Sequence, residues 1–374
     1  MKLFLNIIRL LVGGLFIFSG AVKLNDPYGT AYKLEEYFHV FSTDFGSVFQ
    51  AFIPYSLLLS IIICGLEVIL GVALLINYKI RKSSAIALGL VIYFTFLTFY
   101  SFYFDKVKEC GCFGTFIVLT AKQSFYKDLI LLAFVGVIFI FRSRLNTALY
   151  PLSGNLVMVI STVLTFGFGY YTAAHLPVFD TLNFKVGADI PSLITPEERP
   201  VYKYVLEKEG KEFEFLQENY PSDPSYNFVR YILLNKDSTK LIPKITNYVI
   251  EGEDGDISKS TLIGKKLLIT FPDPYSGFEN CKDDCLLQLR NLITLAEKEG
   301  IQPMLVLKHM DASEVESLRH ESQLSAPYYF ADDVLLKMMV RSNPGIILLN
   351  EGKVKGKWHY NDIPEINKIK YLIK

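Results

Sequence analysis

The chain has 374 residues and no net formal charge, so neither a basic face for nucleic acid nor an acidic interaction tail is indicated. Hydrophobic residues make up 51% and charged residues only 20%, below the roughly one quarter usual in soluble domains, and mean hydropathy is +0.29. Charge is scarce up to about residue 180 and ordinary beyond it. That argues against a single soluble enzyme and for a membrane half followed by a water-soluble half.

A spanning helix needs about twenty mostly apolar residues. Five stretches suit one: Leu3 to Val22 with Arg9 near its start, Pro54 to Tyr78 with Glu67 inside it, the uncharged Ser83 to Phe104, Leu129 to Phe141, and Asn155 to Leu176. The fourth is short unless Ser124 to Asp128 extend it. The first also fits a signal peptide, with Ser19-Gly20-Ala21 as the cleavage region, but Arg9 and the four later segments favour a span.

Lys and Arg in short loops set orientation. Lys2 and Arg9, then Lys79, Arg81 and Lys82, then Arg142 and Arg144 fall on one side of five spans, the cytoplasmic one. The loops Lys23 to Ile53 and Asp105 to Asp128 fall on the other. Everything past about Leu176 is then extracytoplasmic. Tyr and Phe around residues 92 to 104 fit an interfacial aromatic belt.

From 181 to 260 the pattern is β-rich, with Val201 to Glu207 and Glu212 to Leu216 flanking a turn at Lys208-Glu209-Gly210-Lys211. Glu251 to Asp256 reads as a solvated acidic turn, since it lacks a full calcium ligand loop. From 261 onward the pattern predicts a strand Lys266 to Phe271, a helix Cys281 to Lys298, a strand Gln302 to Leu307 and helices Ala312 to Gln323 and Asp332 to Val340. A hairpin Ile346 to Leu349 with Lys353 to Trp358 follows, then a helix after Pro364. This is the order of a thioredoxin fold, an α/β layer structure.

The chain has five cysteines, two pairs and one left over. Cys64, mid-span, reads as a small buried apolar residue. Cys110 and Cys112 form Cys-Gly-Cys beyond the third span. A ring that small is strained, so the pair is either a labile redox centre or two thiols bonded elsewhere. Cys281 and Cys285 lie four apart, on one face of a helix. A helix start favours a thiolate, while Asp283 and Asp284 oppose it. Redox activity and a structural disulfide both fit. By the orientation above, both pairs face an oxidising compartment. Pro344, before the penultimate strand, is either the cis proline of a thioredoxin-type site or a strand-entry proline. Glu67 within a span and Asp128 at the end of another are costly charges; Glu67 either pairs with a polar group of a neighbouring helix or carries protons. The five histidines show no metal-ligand spacing, and no metal is expected.

Phe18-Ser19-Gly20-Ala21-Val22-Lys23-Leu24, Glu67, Cys110-Gly111-Cys112-Phe113-Gly114 and Lys127-Asp128 resemble the DoxX and MauE group of bacterial membrane proteins, with Cys-Gly-Cys-Phe-Gly nearer MauE. The resemblance covers roughly residues 1 to 145. The whole chain is similar to a family joining this domain to an extracytoplasmic thioredoxin-like one. Phe184-Lys185-Val186-Gly187, Ile190-Pro191, Arg341-Ser342-Asn343-Pro344-Gly345 and Lys357-Trp358-His359 carry that likeness. MauE proteins are implicated in making methylamine dehydrogenase, a disulfide-rich enzyme, which implies a role in disulfide handling. Three residues between Cys281 and Cys285, acids among them, depart from the usual Trp-Cys-Gly-Pro-Cys.

The expected architecture is a transmembrane helical bundle followed by an α/β thioredoxin-like domain. Residues 1–145 form a four-helix membrane domain, 146–180 a fifth span, 181–260 a β-rich linker region and 261–374 the thioredoxin-like domain. The expected setting is a bacterial inner membrane, crossed several times, with a cytoplasmic N-terminus and a periplasmic C-terminal domain. The expected function is a thiol–disulfide relay linking Cys110 and Cys112 to Cys281 and Cys285, with Cys281 attacking and Cys285 resolving. Its partners would be the bilayer, disulfide-bearing client proteins and a membrane electron carrier, for which a quinone is one candidate. The alternative is a membrane assembly factor with a degenerate, partner-binding thioredoxin-like domain; a carrier built on Glu67 is a third reading.

Overall fold

The computed structural model describes residues 2–107, 119–145 and 151–374. The chain forms two compact units, Met1–Leu182 with Trp358–Asp362, and Asn183–Lys357 with Ile363–Lys374.

The first unit contains α1 (Lys2–Asn25), α2 (Pro27–Asp44), α3 (Ser56–Leu75), α4 (Ile80–Phe104), α5 (Ala121–Ile140) and α6 (Pro151–Ala174). Among the described residues, five helical segments are long and apolar enough to cross a membrane, and they coincide with the five apolar stretches of the sequence. α5 begins earlier than its apolar core because Thr120 caps it. The Gln123 amide donates to Thr120 Oγ1 at 3.2 Å, and Thr120 N–H donates to Gln123 Oε1 at 3.0 Å. This extension carries Asp128 into the helix.

Helix α2 replaces the expected loop after α1. Asp26 caps it, accepting from Gly29 N–H at 3.1 Å, and Pro27 opens its first turn. Ala31, Leu34, Tyr37 and Phe41 recur at helical spacing and are buried. Tyr37 and Phe41 pack with Leu97 and Tyr100 of α4. The polar residues between them masked this periodicity in the sequence.

α1 and α3 approach closely. A Cβ added at Gly71 would lie 2.7 Å from Gly13 O and 2.8 Å from Ile17 N. Small residues at such crossings let backbones meet where the lipid offers no hydrophobic drive between helices. Arg9 of α1 donates to the Leu74 carbonyl, and to the Leu75 carbonyl at 2.6 Å, so it caps the C-terminus of α3.

The second unit starts with a short helix α7 (Ile190–Leu193) and three antiparallel strands, β1 (Tyr202–Lys208), β2 (Lys211–Leu216) and β3 (Asn227–Leu233), in the order β2-β1-β3. Then come β4 (Ile250–Gly252), β5 (Gly255–Asp256), α8 (Ser258–Thr261), β6 (Lys265–Phe271), α9 (Pro274–Asn280), α10 (Asp284–Lys298), β7 (Gln302–Lys308) and α11 (Ala312–Ser322). β8 (Tyr328–Ala331), α12 (Asp333–Met339), β9 (Gly345–Asn350), β10 (Lys353–His359) and α13 (Ile366–Leu372) complete it. The larger sheet has the order β10-β9-β6-β7-β8-β4-β5. β6, β7 and β8 are parallel, and β9 runs against β6. Leu267, Leu268, Ile269 and Phe271 are fully buried in β6, which explains its unbroken apolar run.

Two features differ from the sequence pattern. The helix expected from Cys281 to Lys298 starts only at Asp284, because Asp283 adopts φ 50° and ψ −107° and breaks the chain direction, and a separate helix, α9, ends just before Cys281. Strands β4 and β5, within the expected linker region, join the larger sheet.

Candidate functional site

Two sets of the predicted residues can be placed. The first lies within the helical unit. Gly20 of α1 lies against α3: a Cβ there would sit 2.7 Å from the Cys64 carbonyl and 3.0 Å from Glu67 Cβ. One turn later, the Lys23 ammonium forms a buried ion pair with Glu67, the two side chains 6% and 7% exposed. It also lies 4.7 Å from the centroid of the Phe94 ring, a cation–π contact. Buried charges are tolerated only when paired in this way.

Asp128 is also buried. Its Oδ1 is 3.0 Å from the Lys127 ammonium, whereas among the described residues nothing donates a hydrogen bond to its Oδ2. A cavity of about 70 Å³ is lined by Lys23, Cys64, Glu67, Lys127 and Asp128 together with apolar residues such as Phe94. It exceeds several-fold the roughly 10–15 Å³ that one water requires. Its walls offer ammonium donors, carboxylate acceptors, a thiol and an aromatic face.

Sequence reasoning found Glu67 and Asp128 but left the partner of Glu67 unnamed and set Cys64 aside. The signal was available for Cys64, since residues 64 and 67 are three apart and share a helix face. Lys23 shows no such local signal, because its approach to Glu67 depends on the Gly20 crossing.

The second set lies in the other unit. Cys281 and Cys285 form a disulfide with a Cα–Cα distance of 5.0 Å. Cys281 is the residue that ends α9, its N–H donating to the Gly277 carbonyl at 3.1 Å, and it is fully buried. Cys285 is the second residue of α10 and is partly exposed. The Asn343–Pro344 bond is cis. The Asn343 side chain fastens that loop to α9, donating to the Asp273 carbonyl at 2.7 Å and to Ser276 Oγ at 3.0 Å. Asn280, next to Cys281, donates back to the Asn343 carbonyl at 3.2 Å. Gly277 permits this contact, since a Cβ there would meet Asn343 Oδ1 at 2.6 Å. The loop bearing Pro344 and the segment leading into the disulfide are therefore one hydrogen-bonded arrangement.

Cys110 and Cys112 lie outside the described residues. Among the described residues, no cluster of three His, Cys, Asp or Glu side chains could hold a metal.

Residues 1–141 match the family described as methylamine utilisation protein MauE. Residues 200–233, which span β1 to β3, match a domain of unknown function, DUF8463. No curated protein and no solved structure matches the chain. The MauE match ends at the close of α5 and takes in Lys23, Glu67, Asp128 and the Cys-Gly-Cys run. This match makes residues 1–141 a MauE-like domain, and the five helices long and apolar enough to cross a bilayer mark the chain as an integral membrane protein.

Proposed function

We propose that the protein is a membrane-bound thiol–disulfide relay. The observation that carries this reading is the Cys281–Cys285 disulfide at the junction of α9 and α10, tied through Asn280 and Asn343 to a cis-proline loop. The succession β6, α9–α10, β7, α11, β8, α12, then the β9–β10 hairpin and α13, with β6 between β7 and β9, supports reading this part as a thioredoxin-like domain. In such a domain a cysteine pair at a helix start and a cis proline form the exchange site.

In this reading the domain is periplasmic, and residues 261–374 exchange disulfides with client proteins and with Cys110 and Cys112. Each exchange is attack by a thiolate on a sulfur, through a mixed disulfide. The electrons then pass between Cys110/Cys112 and a membrane electron carrier. The cavity lined by Lys23, Glu67 and Asp128 supports that step, because a quinone head group needs donors for its carbonyls and an apolar wall for its ring. A dithiol that becomes a disulfide gives up two electrons and two protons, and a quinone that becomes a quinol takes up both.

The test is a graded redox titration of the protein in membrane vesicles, read by the mass added by a membrane-impermeant alkylator. Reversible titration of Cys281/Cys285 near the potentials of exchange catalysts is the expected result. A pair that stays oxidised until strongly reducing conditions is structural, and the relay reading then fails in favour of an assembly factor with a binding domain.

A further inference from the structure

The order of attack expected from the sequence rested on one helix beginning at Cys281. The chain instead breaks at Asp283, and the two cysteines occupy different environments. Cys281 ends α9, with no exposed surface. Cys285 lies in the first turn of the fifteen-residue α10 and is partly exposed. Two independent consequences follow. An incoming thiolate must reach the sulfur it attacks, and of the two cysteines Cys281 has no exposed surface whereas Cys285 is partly exposed. The positive end of a helix dipole favours a thiolate, and the first turn that supplies it here is that of α10, which holds Cys285. Asp284, in the same turn, opposes that effect without moving it to Cys281.

Resting on the relay reading, we infer that Cys285 is the exchanging sulfur and Cys281 the buried resolving one, the reverse of the order in which the chain presents them. With the pair oxidised, a partner thiolate attacks Cys285 Sγ. The partner–Cys285 bond forms, the Cys281–Cys285 bond breaks, and Cys281 leaves as a thiolate that takes up a proton. The partner's second thiol then attacks the partner sulfur of the mixed disulfide. It closes the partner's own disulfide and releases Cys285 as a thiol. In the opposite direction the Cys285 thiolate attacks a client disulfide, and Cys281 resolves the mixed disulfide by attacking Cys285 Sγ. Cys285 carries the mixed disulfide in both directions.

The experiment uses the full chain in detergent with Cys64, Cys110 and Cys112 replaced by Ser, carrying Cys281→Ser or Cys285→Ser in addition. Glutathione disulfide is the probe, and adducts are located by peptide mass spectrometry. The expected result is at least tenfold faster glutathionylation of Cys285 in Cys281→Ser than of Cys281 in Cys285→Ser. Equal rates, or a faster Cys281, overturn the assignment and leave the relay reading standing. If neither thiol reacts until the protein is denatured, the relay reading itself fails. Because replacing Cys281 removes a core residue, the wild-type chain provides a second readout. After reduction, limiting iodoacetamide should label Cys285 before Cys281, and the reverse order of labelling also overturns the assignment.

Discussion

Lys23, in the last turn of α1, forms a buried ion pair with Glu67, near the middle of α3, and both line the same cavity as Asp128. The pair holds the two helices at their glycine crossing and places an ammonium beside carboxylates where lipid would otherwise exclude both. A buried ion pair is weak evidence for stability, yet breaking one is costly, because the remaining charge has nowhere to go.

Removing one partner should therefore be worse than removing both. Glu67→Gln is expected to destabilise the helical unit by about 3–5 kcal/mol, the usual cost of stranding one buried charge. The double change Lys23→Met with Glu67→Met should recover much of that loss. Thermal unfolding in detergent measures both. A double variant no more stable than Glu67→Gln would show that the pair is not the relevant interaction.

The crossing of α1 and α3 permits no side chain at Gly71. Gly71→Val must push a branched side chain into the Gly13 carbonyl and the Ile17 backbone. Overpacking of this kind costs about 1–3 kcal/mol. Because the same crossing seats Lys23, the variant should also loosen the Lys23–Glu67 pair. A cysteine crosslink between the two helices would report the separation as a lower yield, and an unchanged yield would contradict the account.

In the second unit, Asn343→Ala removes two hydrogen bonds to α9. Each such bond contributes about 1 kcal/mol. The expected outcome is a modest fall in stability together with a several-fold change in the exchange rate of the Cys281–Cys285 disulfide. A fall in stability with no change in exchange would separate the proline loop from the chemistry.

Tyr248 gives this unit a pH dependence. Burial, offset only in part by the hydroxyl of Thr261 at 2.7 Å, pushes its phenol up to about 12. The unfolded phenol ionises near 10. The folded value is the higher one, so its contribution is fully present below about pH 10 and is lost as pH rises through about 12. Tyr248→Phe should flatten that part of the alkaline decline, measured by denaturant unfolding between those two values. An identical slope in the variant would assign the decline elsewhere.

Legibility in the sequence followed the strength of each periodicity. The five apolar stretches and the buried strands β6, β7 and β9 were plain, because burial on all sides leaves long runs without charge. Helix α2 was hidden, since Lys33, Glu35 and Glu36 interrupt its buried positions Ala31, Leu34 and Tyr37. β8 was missed because its four residues are mostly half-buried and carry no alternation. At the candidate sites, Cys281, Cys285 and Pro344 were visible as residue types at telling positions. The break at Asp283, which decides which sulfur is open, depends on a single positive φ at a residue that also occurs in ordinary helix starts. The Lys23–Glu67 pair was invisible because it joins residues far apart in the chain through a close approach that only Gly20 allows.

The central claim is that the two cysteine pairs exchange with one another, and one measurement tests it most directly. Membrane vesicles carrying wild type or the Cys110→Ser, Cys112→Ser double variant are pulsed with a reductant under anaerobic conditions, and reoxidation of Cys281 and Cys285 is followed by alkylation and mass. The relay predicts reoxidation in wild type and at least a tenfold slower return in the double variant. Equal rates in the two proteins would contradict it.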